Sequence, residues 1–200
     1  MKKIAAIFSL LCMALITNAQ QAQPATDSFH FSKNIPVLPG EGRHFRYEMA
    51  VSSTTADNFA GLSFYGLATK GNKLLTSHTY KVAEQRTEQD WTILTIEGVL
   101  PSEADALCFF TRVSSPGTYY FDDLSLYLET ARGNWKQHNI VNHSFEQLNG
   151  NGLADFAVKQ SPAGNPKALI SGKMAKTGRF SLMITYLPSK ETPRFVAGED

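Results

Sequence analysis

From His44 to Val51 apolar and polar residues alternate singly, with Phe45, Tyr47, Met49 and Val51 set against His44, Arg46, Glu48 and the small Ala50. A period of two gives a strand one apolar face, whereas a helix needs a period of 3.6. Similar segments recur along the chain. Leu62–Ala68 follows the turn-like Ala56-Asp57-Asn58, and Leu74–Val82 is a more polar segment. Trp91–Val99 and Ala106–Val113 are rich in aromatic and β-branched residues. Tyr119–Glu129 puts Leu124, Leu126 and Leu128 on one face and Ser125, Tyr127 and Glu129 on the other. Gly, Pro, Asn and Asp separate these segments, as they do between strands. The best helical candidate is the brief acidic stretch Ser102–Ala106 after Pro101. Six or more strands at this spacing predict an all-β fold, an antiparallel jelly-roll β-sandwich.

At 200 residues, with 42% hydrophobic and 18% charged, the chain can bury a real core and reads as globular. Residues 1–19 follow another rule. Lys2 and Lys3 precede an apolar run, Ile4 to Ile16, that is too short to span a bilayer, and Asn18-Ala19-Gln20 offers a small residue for cleavage. This is the pattern of a secretory signal peptide. Cys12 lies inside the apolar run, preceded by Leu10 and Leu11, which does not suit a lipoprotein signal. The expected location is periplasmic or secreted. No later stretch is long and apolar enough to span a membrane, so none is expected as a partner after signal removal.

Of the 19 basic residues, Lys2 and Lys3 leave with the signal, so 17 face 18 acidic ones. Such a balance does not advertise nucleic acid as a partner. Cys108 then remains alone, which excludes an internal disulfide, and its setting Ala106-Leu107-Cys108-Phe109-Phe110 reads as core. Residues 20–27 are polar and include Pro24, a flexible leader. The β-sandwich module is expected over 28–131, followed by a further β segment over 132–200.

The succession Leu38-Pro39-Gly40, Phe45 to Val51, Asp90-Trp91-Thr92-Ile93-Leu94-Thr95-Ile96, Ala106 to Phe110, and Gly117-Thr118-Tyr119-Tyr120-Phe121-Asp122-Asp123-Leu124-Ser125-Leu126 resembles the later two-thirds of a family 4/9-type carbohydrate-binding module. The resemblance, best over Pro36 to Glu129, implies a galactose-binding-domain-like jelly roll. Similar modules precede the catalytic domains of secreted bacterial hydrolases. Their opening Asn-x-Ser-Phe-Glu motif is reduced here to Ser28-Phe29-His30, with His in place of Glu. It returns downstream as Asn142-His143-Ser144-Phe145-Glu146, followed by Ser171-Gly172-Lys173 and Thr177-Gly178-Arg179-Phe180-Ser181-Leu182-Met183-Ile184. Two arrangements fit this order. Residues 132–200 begin a second, partial module, or their strands complete the first sandwich in permuted order, which would cover its open edges.

The resemblance also implies a structural calcium, held by an Asp of the Asp122-Asp123 pair and the Glu of the opening motif; carried over, these are Asp123 and Glu146. A β-turn or capping role for the Asp pair is the competing reading. Neighbouring strand side chains alternate in direction, so one carboxylate is expected inward with a partner and the other toward solvent. Asn149-Gly150-Asn151-Gly152 reads as a turn. His30, His44, His78, His138 and His143 lack Cys or carboxylate partners at zinc-site spacing and read as surface residues.

Gly61-Leu62-Ser63-Phe64-Tyr65 misses the last glycine of a nucleophile elbow, and neither a phosphate loop nor a dinucleotide fingerprint is present. The sequence therefore points to no catalytic role. A sugar-binding surface needs exposed rings beside polar side chains. Tyr65, Tyr80, Tyr127 and Trp135 are the candidates, on or near strands opposite the apolar row or just outside the module; partial burial is the competing reading for each. Trp91 reads as core. The leading expectation is a secreted, non-catalytic carbohydrate-binding or accessory module with a glycan or a hydrolase domain as partner. The alternative is a structural or interaction domain from the accessory region of a secreted peptidase or esterase.

Overall fold

The computed structural model describes residues 28–38, 43–54, 59, 61–80, 85–147, 153, 155–160 and 167–187. The expected signal peptide and leader, the Pro39-Gly40 step, and the turns expected at 56–58 and 149–152 lie outside the described residues. Twelve strands run in order: β1 (Phe29–Pro36), β2 (His44–Ser53), β3 (Leu62–Lys70), β4 (Lys73–Thr79), β5 (Arg86–Glu88), β6 (Trp91–Val99), β7 (Ala106–Val113), β8 (Gly117–Ala131), β9 (Asn134–His138), β10 (Ala157–Gln160), β11 (Lys167–Ser171) and β12 (Ser181–Tyr186). No helix occurs among the described residues. At Ser102–Ala106 a single turn forms instead, closed by the Ala104 N–H donating to the Pro101 carbonyl at 3.0 Å, and Ala106 already opens β7.

The all-β expectation holds: two antiparallel sheets form a sandwich. The first has the order β10-β1-β7-β3-β4 and the second β11-β12-β8-β2-β6-β5, with β9 also paired to β8. Strands from the end of the chain join both sheets. β10 pairs with β1, placing Val158 opposite Phe31, and β12 pairs with the first part of β8, placing Leu182 opposite Phe121.

Alternation decides what faces the core. Phe45, Tyr47 and Met49 of β2, Leu107 and Phe109 of β7, and Phe121, Leu124, Leu126 and Leu128 of β8 are buried between the sheets. Tyr47 and Phe109 stack across the core with ring centroids 3.4 Å apart and planes 12° apart. Phe145, of the downstream Asn-x-Ser-Phe-Glu segment, is fully buried and meets Phe31 edge-on at 6.3 Å. The same alternation corrects Cys108. Leu107 and Phe109 point inward, so Cys108 falls on the outer face of the first sheet, half-buried rather than in the core. Burial still pushes its thiol above the usual range.

β8 carries a bulge that shapes everything on the outer face of the second sheet. Glu48 pairs with Ser125 but Ala50 pairs with Asp122, so two residues of β8, Asp123 and Leu124, lie opposite Met49 alone. Asp123 adopts a φ of 55°. Before the bulge Tyr119 and Phe121 point inward; after it Leu124, Leu126 and Leu128 do. The bulge thus keeps a leucine row in the core despite the change of parity.

Candidate binding face

The outer face of the second sheet has two zones. Around Asp122 a second cluster packs on it: Ala50, Trp91, Ile93, Tyr120 and Met183, with Met174 laid against them from the segment between β11 and β12. Trp91 is buried as expected, in this outer cluster. Carboxylates fasten the covering segment. Asp122, fully buried, accepts the N–H groups of Lys176 at 2.7 Å, Thr177 at 3.2 Å and Asp123 at 2.7 Å. Burial pushes its carboxyl up to about 6, against the pull of those three amides. Asp123 accepts from the Lys176 ammonium at 3.0 Å and the Thr177 hydroxyl at 3.1 Å. Glu146 accepts the N–H groups of Arg179 at 2.8 Å and Phe180 at 2.7 Å. Gly178, at a φ of 65°, leaves room for that carboxylate: a Cβ there would sit 2.5 Å from its Oε1.

The Asp pair departs from simple strand alternation, because the bulge lets both side chains reach the same segment, one buried and one partly exposed. Asp123 and Glu146 fit a calcium ion poorly. Calcium takes six to eight oxygen ligands, whereas the Lys176 ammonium already lies 3.0 Å from Asp123 and 3.2 Å from Glu88. Desolvation works against it, but Asp123 and Glu88 hold Lys176 above the usual lysine range. Among the described residues no group of three His, Cys, Asp or Glu side chains is arranged to hold a metal. Of the histidines, His44 pairs with Glu129, His30 bonds to Ser28, and His78 packs edge-on against Phe45.

The second zone is open. Register places residues across β9, β8, β2 and β6 in rows whose side chains share a face. One row runs Trp135, Glu129, His44, Val99 and the next Gln137, Tyr127, Arg46, Glu97. Phe45 lies opposite Leu128, which brings its neighbours His44 and Glu129 level. The Arg46 guanidinium lies 4.6 Å from the centroid of the Trp135 ring, and the His44 ring lies 5.5 Å from it. Cation–π attraction of this kind steadies an indole on a strand edge. Arg46 is itself paired with Glu97, and His44 with Glu129 at 2.8 Å. The Gly133 N–H, followed by His44, draws the Glu129 carboxyl below its usual range. The face therefore presents rings and paired charges rather than a field of one sign.

Beside this face a cleft of about 310 Å3 is lined by Leu124, Gln137, His138, Asn139, Ile140 and His143. It opens where the chain leaves β9 and turns back along β8, tied there by the Leu124 N–H donating to the His143 carbonyl at 3.0 Å.

The four candidate rings part company. Tyr127 and Trp135 share the second zone, both half-buried. Tyr65 lies on the outer face of the first sheet, near Phe110 at 6.3 Å. Tyr80 packs partly into the core, its hydroxyl donating to the Leu62 carbonyl at 3.4 Å, and burial together with nearby Tyr65 raises its phenol. Gln137, Asn139 and Ile140 went unmarked in the sequence, which read His44, His138 and His143 only as surface residues. The alternation of β2 already put His44 and Arg46 on the face opposite the core, but β9 is short and exposed, and only its register shows what stands beside Tyr127. The fold and site define an antiparallel β-sandwich with an aromatic and polar sheet face. No protein-family model, curated protein or solved structure matches the chain.

Proposed function

We propose that this chain is an exported, non-catalytic glycan-binding module of galactose-binding-like jelly-roll type, and that Tyr127 and Trp135 form its sugar platform. The observation that carries the reading is that these two rings share one outer sheet face with Arg46, Gln137 and His44. Flat rings stack on the apolar faces of pyranoses, while neighbouring polar groups bond the hydroxyls. Residues 20–200 are to be applied to a panel of insoluble and soluble polysaccharides. Saturable retention that Trp135→Ala and Tyr127→Ala each weaken at least about tenfold, a loss of about 1.4 kcal/mol, supports the reading, with Tyr65→Ala behaving as wild type. Retention untouched by both ring substitutions, or no retention at all, overturns it.

A second reading, an accessory domain packing on a secreted hydrolase, draws on the first sheet instead. There Tyr65, Phe110, Leu67 and Cys108 line up half-buried on the outer face of β3 and β7. Tyr65→Ala would then weaken association with the partner domain while leaving glycan retention alone.

A further inference from the structure

The cleft beside the sheet face has a composition of its own. Leu124 and Ile140 form an apolar floor, 2% and 4% exposed. Gln137, His138, Asn139 and His143 form the walls, which contain neither a carboxylate nor a Lys or Arg. A volume of about 310 Å3 stands at the lower limit for small-ligand sites, roughly 300 Å3. His143 stands in the wall nearest Asp123. Its Nδ1 is enclosed and faces Asp123 Oδ1 at 4.0 Å, while the side chain as a whole is 45% exposed. Gln137 connects the two features, since it lines the cleft and lies opposite Tyr127 in the ladder.

An acetamido group asks for this combination: an apolar surface for its methyl, an N–H donor for its carbonyl and an acceptor for its N–H. The floor supplies the first, and the side-chain amides of Gln137 and Asn139, each with N–H donors and a carbonyl acceptor, supply the second and third. The charges on the adjoining face are already matched within the protein, Arg46 with Glu97 and His44 with Glu129, which suits an uncharged ligand. We infer that the glycan is built of 2-acetamido sugars, with the sugar ring on Tyr127 and the acetamido arm in the cleft. The inference rests on the glycan-binding reading and names its substrate class.

Three oligosaccharide series share one linkage and differ only at C2: chito-oligosaccharides carry acetamido, chitosan oligosaccharides ammonium and cello-oligosaccharides hydroxyl. Calorimetric titration of residues 20–200 should give chito-oligosaccharides at least a tenfold advantage over both others. Asn139→Ala, at an exposed position, and His143→Ala should erase that advantage, while Trp135→Ala weakens every series. Purified peptidoglycan, as a further arm, distinguishes a bacterial-wall source of the same chemistry from chitin. Equal affinity for the acetamido and hydroxyl series, or a preference that survives both cleft substitutions, overturns the inference while the platform stands. If Trp135→Ala changes nothing, or nothing binds, the platform falls with it.

Discussion

Asp122 is fully buried among three backbone N–H groups, and its raised carboxyl links stability to pH. Its folded value of about 6 lies above the ordinary 3.8, so between the two the folded chain holds a proton that the unfolded chain releases. The stability contributed by Asp122 is therefore full below the lower value and is lost as pH rises through the upper one, by no more than about 2–3 kcal/mol. Urea denaturation from about pH 4 to about pH 7 should show this decline, and Asp122→Asn should flatten it; parallel profiles for the two proteins would refute the linkage. Close packing makes a sharper demand at Gly61. A Cβ there would overlap the Ser115 hydroxyl and lie 2.7 Å from the Ser115 backbone nitrogen. Since backbone yields less readily than a side-chain tip, Gly61→Ala should cost about 1–3 kcal/mol in the same assay.

The segment between β11 and β12 has no regular structure and is held at its carboxylate contacts. Glu146→Ala should speed hydrogen exchange at the Arg179 and Phe180 amides while leaving the Lys176 and Thr177 amides, bonded to Asp122, protected. Uniform loss of protection would mean that the segment opens as one unit. Next to Glu146, the fully buried Phe145 fills space against Phe31 and Phe156, and Phe145→Ala should cost about 3–5 kcal/mol by urea denaturation. Period-two alternation made much of this level legible. Trp91–Val99 and Ala106–Val113 are strands with the boundaries their residues suggest, and the leucine row of β8 faces the core. The bulge at Asp123 was not legible, because nothing local in Phe121-Asp122-Asp123-Leu124 announces a change of parity; Met49 across the ladder reveals it. Nor was the role of Lys176, which meets Asp123 and Glu88 only after the chain has returned from far along the sequence.

Across the whole molecule, each sheet turns one face to the shared core and leaves the other to be covered or used. The second sheet does both, with Met174 packed against the Trp91 and Tyr120 cluster at one end and the half-buried Tyr127 and Trp135 at the other. Sequence could nominate Tyr127 and Trp135, and equally Tyr65 and Tyr80; it could not say which would meet, since that depends on β9 pairing with β8 and β8 with β2. The chain has two tryptophans, one in each zone, and this gives the most direct measurement of the central claim. In a proton–nitrogen correlation spectrum of residues 20–200, addition of chito-oligosaccharide, or of any soluble glycan the panel retains, should move the Trp135 indole N–H signal and leave that of buried Trp91 in place. A retained glycan that leaves the Trp135 signal unmoved would contradict the assignment of this face as the binding surface.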